Sequence, residues 1–250
     1  MAPSRTNTQS GPRPHWVALV FVLIAILGLI LAACGGGKEE AHPTPDSGVS
    51  QSVSFQTTDG LTLHGHLFGN GEKLVILAHM RPSDQTSWYG FAEELAKAGY
   101  SALTFDFRGY GESEGSKELS KIDLDVEAAI ETMRDKGYGV IYLVGASMGG
   151  TASLIVAARQ EVAGVVAISA PADFEGLDAE AVVGQVSERK LFIASKGDTS
   201  AMTSLERLFE RAPEPKEEKV FEGSEHGTNL LEGKYAAEVK AAIMAFLSGQ

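Results

Sequence analysis

Cysteine is all but absent from this chain: its 250 residues hold one, Cys34. No intramolecular disulfide can form, so the folded part must be held by its core. Positive charge is also scarce. Lys and Arg number 21 against 33 Asp and Glu, a formal net charge of −12. With no basic patch and no stripe of interleaved basic and aromatic residues, a nucleic-acid partner is not expected. Long apolar runs are confined to one place near the start. There is no internal repeat, and nothing marks a second folded domain.

That one run extends from Trp16 to Ala33. It follows a polar segment that carries Arg5 and Arg13 and no acid, the pattern of a secretory front end. It closes in Leu31-Ala32-Ala33-Cys34, which resembles the lipobox of bacterial lipoproteins. The resemblance implies cleavage before Cys34 and lipidation of that cysteine. The competing reading is an uncleaved membrane anchor, because the run is nearly long enough to span a bilayer. Either way the positive flank stays inside and the rest of the chain lies beyond the cytoplasmic membrane. The expected organisation is a signal peptide over 1–33, a flexible hydrophilic tether over 34–50 and one folded domain over 51–250. The expected location is the extracytoplasmic face of the cell membrane, or the outer membrane. Loss of residues 1–33 removes two arginines and no acid, so the balance falls by two, to −14. So acidic a domain is repelled by an anionic bilayer, which favours a solvent-facing protein on a tether.

From Val53 onward the pattern alternates strand and helix. Val53–Thr57 and Leu61–Phe68 flank Asp59-Gly60 and read as an antiparallel hairpin. Short apolar strands are predicted at Lys73–Ala78, Ala102–Phe105, Val140–Val144, Val165–Ile168, Lys190–Ala194 and Lys219–Phe221. Helical faces recur between them: Trp88, Phe91, Ala92 and Leu95; Ile122, Val126, Ala129, Ile130 and Met133; residues 148–160; Met202, Leu205, Leu208 and Phe209; Tyr235, Val239, Ile243 and Phe246. Such alternation gives an α/β fold, a mostly parallel sheet with helices on both faces.

The pentapeptide G-x-S-x-G occurs twice. Gly145-Ala146-Ser147-Met148-Gly149 directly follows an apolar strand and opens a helix of small residues. A sharp strand-to-helix turn of this kind lifts one hydroxyl out of the sheet edge, and glycines let the backbones approach. Gly111-Glu112-Ser113-Glu114-Gly115 follows no strand, and its two carboxylates would oppose a developing oxyanion. Context therefore selects Ser147 as nucleophile over Ser113.

A serine hydroxyl needs a base, and the base a carboxylate. Asp198 follows the strand Lys190–Ala194, and His226 follows Lys219–Phe221. Both fall in loops at the carboxyl ends of strands, where sites form in an open parallel sheet, and the chain order Ser, Asp, His is preserved. The rivals are weaker. His15 and His42 lie in the leader and the tether. His64 and His66 share one face of the hairpin, with no carboxylate or thiol to complete a metal site. His79 ends the strand before the next loop and is expected to brace it. Asp173 is the main rival to Asp198.

An oxyanion hole needs two backbone N–H groups. The first is expected from Met148, the second from the loop His79-Met80-Arg81-Pro82. The chain here resembles the α/β-hydrolase superfamily, and most closely its small esterase- and dienelactone-hydrolase-like members. In that family a His-Gly-X turn donates from X, which implies Arg81. Met80 stands in place of the glycine and is the fallback donor, while Pro82 cannot donate. Asp106-Phe107-Arg108-Gly109-Tyr110-Gly111-Glu112-Ser113 resembles the family's D-x-R-G-x-G-x-S loop, which makes Ser113 structural. The resemblance covers roughly residues 52–248 and implies an α/β-hydrolase fold of about eight strands. The stretch between Ser169 and Lys190, where relatives carry a lid, has room for one short helix around Leu177–Val186, so the lid is minimal. Trp88, Tyr89 and Met148 are candidates to line an acyl pocket, and for Trp88 a place in the core is an equal alternative.

These residues together predict a serine hydrolase acting on small-molecule carboxylic esters through an acyl-enzyme, with no metal and no cofactor. A monomer is expected, its only contact with the membrane being the lipid on Cys34. Two alternatives stay open: an aminopeptidase-like amide hydrolase, weakly disfavoured by the short lid, and a non-catalytic surface-binding protein on the same fold.

Overall fold

The structure is a computed structural model that describes residues 50–249. The predicted signal peptide, the lipidation site Cys34 and the tether up to residue 49 lie outside the described residues. Eight strands form one sheet: β1 (Ser50–Gln56), β2 (Thr62–Phe68), β3 (Lys73–Ala78), β4 (Ser101–Phe105), β5 (Val140–Ala146), β6 (Gly164–Ile168), β9 (Lys190–Ser195) and β10 (Lys216–Phe221). Two residues each make β7 (Asp173–Phe174) and β8 (Leu177–Asp178), a separate small hairpin. The helices are α1 (Tyr89–Lys97), α2 (Ile122–Asp135), α3 (Met148–Ala157), α4 (Ala179–Val182), α5 (Thr199–Arg211) and α6 (Ala236–Ser248).

The order across the sheet is β1-β2-β4-β3-β5-β6-β9-β10. β2 pairs antiparallel with β1 and with β4, and the remaining neighbours are parallel. The chain steps from β3 to β4 on one side, then crosses back to place β5 on the other. The crevice beyond the carboxyl ends of β3 and β5 is therefore a topological switch point, where α/β sheets bind ligands.

Strand alternation divides the core in two. Leu74, Ile76 and Ala78 of β3 face one layer with Ile141 and Leu143 of β5, packed by Val126 and Ile130 of α2, Leu154 of α3 and Leu205 of α5. Val75 and Leu77 face the other, with Tyr142 and Val144, under Phe91 and Leu95 of α1 and Val239 and Ile243 of α6. Burial on both faces explains why β3 and β5 read as continuous apolar runs. The last strand behaves differently. β10 is an edge strand, and Glu217, Glu218, Lys219 and Val220 are all exposed. It starts at Lys216, three residues before the apolar pattern allows it to be seen.

Between β6 and β9 the chain makes only the β7–β8 hairpin, the four-residue α4 and a 3-10 turn over Val183–Gln185. This is slightly more structure than one short helix, and still no large cap.

Candidate active site

The elbow at the end of β5 is built by space. A Cβ on Gly145 would lie 2.3 Å from the Gly149 carbonyl oxygen, and one on Gly149 would lie 2.3 Å from the Ala78 carbonyl oxygen of β3. Only hydrogen fits at either position. Ser147 itself sits at φ 49, ψ −121, a conformation that costs a residue with a side chain about 1–3 kcal/mol. The turn is held by its neighbours. The Ser147 N–H donates to the Ile168 carbonyl at 2.8 Å, and the Ser147 carbonyl accepts from Gly150 and Thr151 as α3 starts.

Asp198 and His226 come together from different loops. Asp198 ends the turn after β9 and His226 lies between β10 and the 3-10 turn Gly227–Leu231. His226 Nδ1 is 2.6 Å from Asp198 Oδ2, while Asp198 Oδ1 accepts from the Ala201 N–H at the start of α5. The loop of His226 reaches the elbow: a Cβ on Gly227 would be 3.6 Å from Ala146 Cβ and 2.5 Å from Met80 Sδ. Among the described residues no hydrogen bond joins Ser147 Oγ to His226, a looseness common before substrate binds. Asp173, the rival acid, is exposed at the start of the small hairpin.

The loop after β3 is fixed by His79, which is fully buried. Its Nε2 accepts the Phe107 N–H at 3.1 Å, so the neutral ring carries its proton on Nδ1. That Nδ1 donates to the Met80 carbonyl at 2.9 Å. Burial pushes the imidazole below the ordinary histidine range, which keeps it neutral. The expected brace is thus a specific one, between the loop after β3 and the loop after β4. It also orients a peptide. Across the trans Met80–Arg81 bond, carbonyl and N–H point in opposite directions, so Arg81 turns its N–H away from His79. Neither the Arg81 nor the Met148 N–H has an acceptor among the described residues.

Ser113 is held as a strut. Its hydroxyl donates to the Asp106 carbonyl at 2.6 Å and accepts the His64 N–H at 3.0 Å. The pocket candidates divide. Trp88 and Met148 are fully buried core residues, while Tyr89 is partly exposed and packs edge-on against His66. For Trp88 the core alternative holds because its ring lies against Phe91 under the sheet. Among the described residues no three His, Cys, Asp or Glu side chains cluster as metal ligands.

The sequence profile of the alpha/beta hydrolase fold matches residues 73–230, more than half of the chain. The chain belongs to the α/β-hydrolase family. The uncharacterized protein YfhR of Salmonella typhi is 30% identical over 118 residues, covering 43% of this chain and 40% of that protein. Human serine hydrolase BPHL is 28% identical over 151 residues, covering 55% and 52%. The chain thus spans about half the length, or less, of these curated relatives. Among solved structures, the Pyrococcus furiosus esterase Pf2001 superposes with a TM-score of 0.71 at 21% identity, covering 80% of this chain and 91% of that one. That likeness is one of fold.

Proposed function

We propose that this α/β-hydrolase is a serine hydrolase that cleaves small carboxylic esters, held outside the cytoplasmic membrane by a lipid on Cys34. The observation that carries the catalytic reading is the 2.6 Å contact of His226 Nδ1 with Asp198 Oδ2, on a loop that packs against the strained Ser147 elbow. The names of the Pyrococcus esterase and the human serine hydrolase favour the same chemistry. The tether and its location rest on the lipobox-like Leu31–Cys34 alone.

In this mechanism Ser147 Oγ attacks the ester carbonyl carbon as His226 Nε2 takes the hydroxyl proton. The carbonyl π electrons move to oxygen, where the N–H groups of Met148 and Arg81 meet the charge. Asp198 holds the imidazolium. The C–O bond to the alcohol then breaks, and the alcohol leaves with the proton from His226. Water, deprotonated by His226, attacks the acyl-enzyme, and Ser147 regains its proton as the acid departs.

The test is turnover of p-nitrophenyl esters of graded chain length by the wild type and by Ser147→Ala. The variant should be inactive and should lose fluorophosphonate labelling of the wild-type residue. Activity persisting in Ser147→Ala and lost in Ser113→Ala would overturn the assignment. Faster cleavage of aminoacyl amides than of esters would move the reading to an amidase. Loss of metabolic lipid labelling in Cys34→Ala tests the tether.

A further inference from the structure

The turn after β6 joins the two halves of the site. Ile168 is the last residue of β6, and Ser169 follows it at φ 50. Ser169 is fully buried, and its N–H is tied to the Ile193 carbonyl of β9 at 2.7 Å. These two consecutive residues each hold one partner. The Ile168 carbonyl accepts the Ser147 N–H at 2.8 Å, and the Ser169 hydroxyl accepts the Gly227 N–H at 3.1 Å, across 58 residues of sequence. Gly227 N is the amide nitrogen of the peptide formed by the His226 carboxyl carbon. One dipeptide therefore grips the backbone of residue 147 and the peptide that follows the histidine.

The backbone conformation is a second, independent observation. At φ 50 glycine would be free of strain, whereas serine is not. What serine adds at this strained position is its hydroxyl. Gly227 is itself buried, and a Cβ built on it would meet Met80 and Ala146.

We propose that Ser169 is a positioning residue, whose hydroxyl sets the His226 imidazole against the Ser147 elbow by pinning the His226–Gly227 peptide. The proposal rests on the Ser147, Asp198 and His226 reading above. A merely structural serine would satisfy one buried N–H and nothing more. A positioning serine controls how often the ring stands ready for Ser147, an effect on kcat and not on substrate affinity.

Ser169→Gly separates these roles, because it removes the hydroxyl and relieves the backbone at once. The experiment measures kcat and KM on a p-nitrophenyl ester, and by NMR the low-field proton on His226 Nδ1. The expected result is kcat lower by on the order of tenfold or more, KM within about twofold, and a broadened Nδ1 proton signal. Unchanged kcat with an unchanged proton signal overturns the proposal, as does a rise in KM at constant kcat. If the wild type neither turns over esters nor takes a fluorophosphonate, the triad reading fails by itself. The NMR comparison then decides the role of Ser169 alone: a broadened signal in Ser169→Gly supports it and a sharp one overturns it.

Discussion

Asp198 holds His226 with one carboxylate oxygen and the first turn of α5 with the other. Oδ2 is 2.6 Å from His226 Nδ1, and Oδ1 accepts the Ala201 N–H at 3.3 Å. The acid is therefore located by a helix terminus and not by a free loop, which fixes the direction from which it orients the ring.

Asp198→Asn and Asp198→Ala should part company. Asparagine caps helices as well as aspartate does, so stability should hold, while the amide cannot support the imidazolium; kcat should fall on the order of 10³–10⁴-fold. Alanine should lose the same activity and, in addition, about 1 kcal/mol from the missing cap. Kinetics together with thermal melts of both variants check this.

Gly149→Ala meets backbone, not a yielding side chain, at 2.3 Å from the Ala78 oxygen. We expect a loss of about 1–3 kcal/mol from the forced displacement, enough to lower the melting temperature by several degrees. Activity should drop as well, because Ala78 leads directly into His79 and the second N–H donor. Calorimetry alongside ester turnover gives both numbers.

His79→Phe keeps the ring but removes both of its hydrogen bonds. The Phe107 N–H then has no partner in a buried place, at a cost of about 1–3 kcal/mol. The Met80–Arg81 peptide is also released, so kcat should fall with little change in KM. A variant that melts earlier yet keeps full kcat would remove the peptide orientation from the account.

Acid should weaken the protein at Asp59. The Arg108 guanidinium, 2.8 Å from Asp59 Oδ2, and the Thr57 hydroxyl hold the Asp59 carboxyl down at about 2, against an ordinary 3.8. A carboxylate lowered on folding stabilises fully above its unfolded value, and that contribution fades as pH falls through the folded one. Asp59→Asn should thus be less stable than wild type at neutral pH, and the gap should close between about pH 4 and 2. Denaturation midpoints across that range are the measurement.

The elbow was legible because a buried strand must run into it, and apolar runs are visible in sequence. Asp198 was picked out for the same reason, in the loop after buried β9, and His226 by its place after the short run ending at Phe221. β10 was seen only in its last three residues, because an edge strand wetted along Glu217–Lys219 shows no apolar alternation. The bond of Ser169 to Gly227 left no trace, and His79 was legible as a brace but not its Phe107 partner, since a side chain reaching a distant backbone N–H imposes no local pattern. For Trp88 the sequence left core and pocket equal, because an apolar side chain near a site reads alike in both, and burial shows the core.

The two rims of the sheet carry a last consequence. β1 offers Ser50, Gln51, Ser52, Ser54 and Gln56 along one rim, and β10 offers Lys216, Glu217, Glu218 and Lys219 along the other. Open strand rims are templates for fibril growth, and charge on them is what blunts it. A second copy docking its own β10 there would set Glu217 and Glu218 among like charges. Charge therefore opposes in-register pairing along the β10 rim, whereas the β1 rim carries no charged side chain to oppose it.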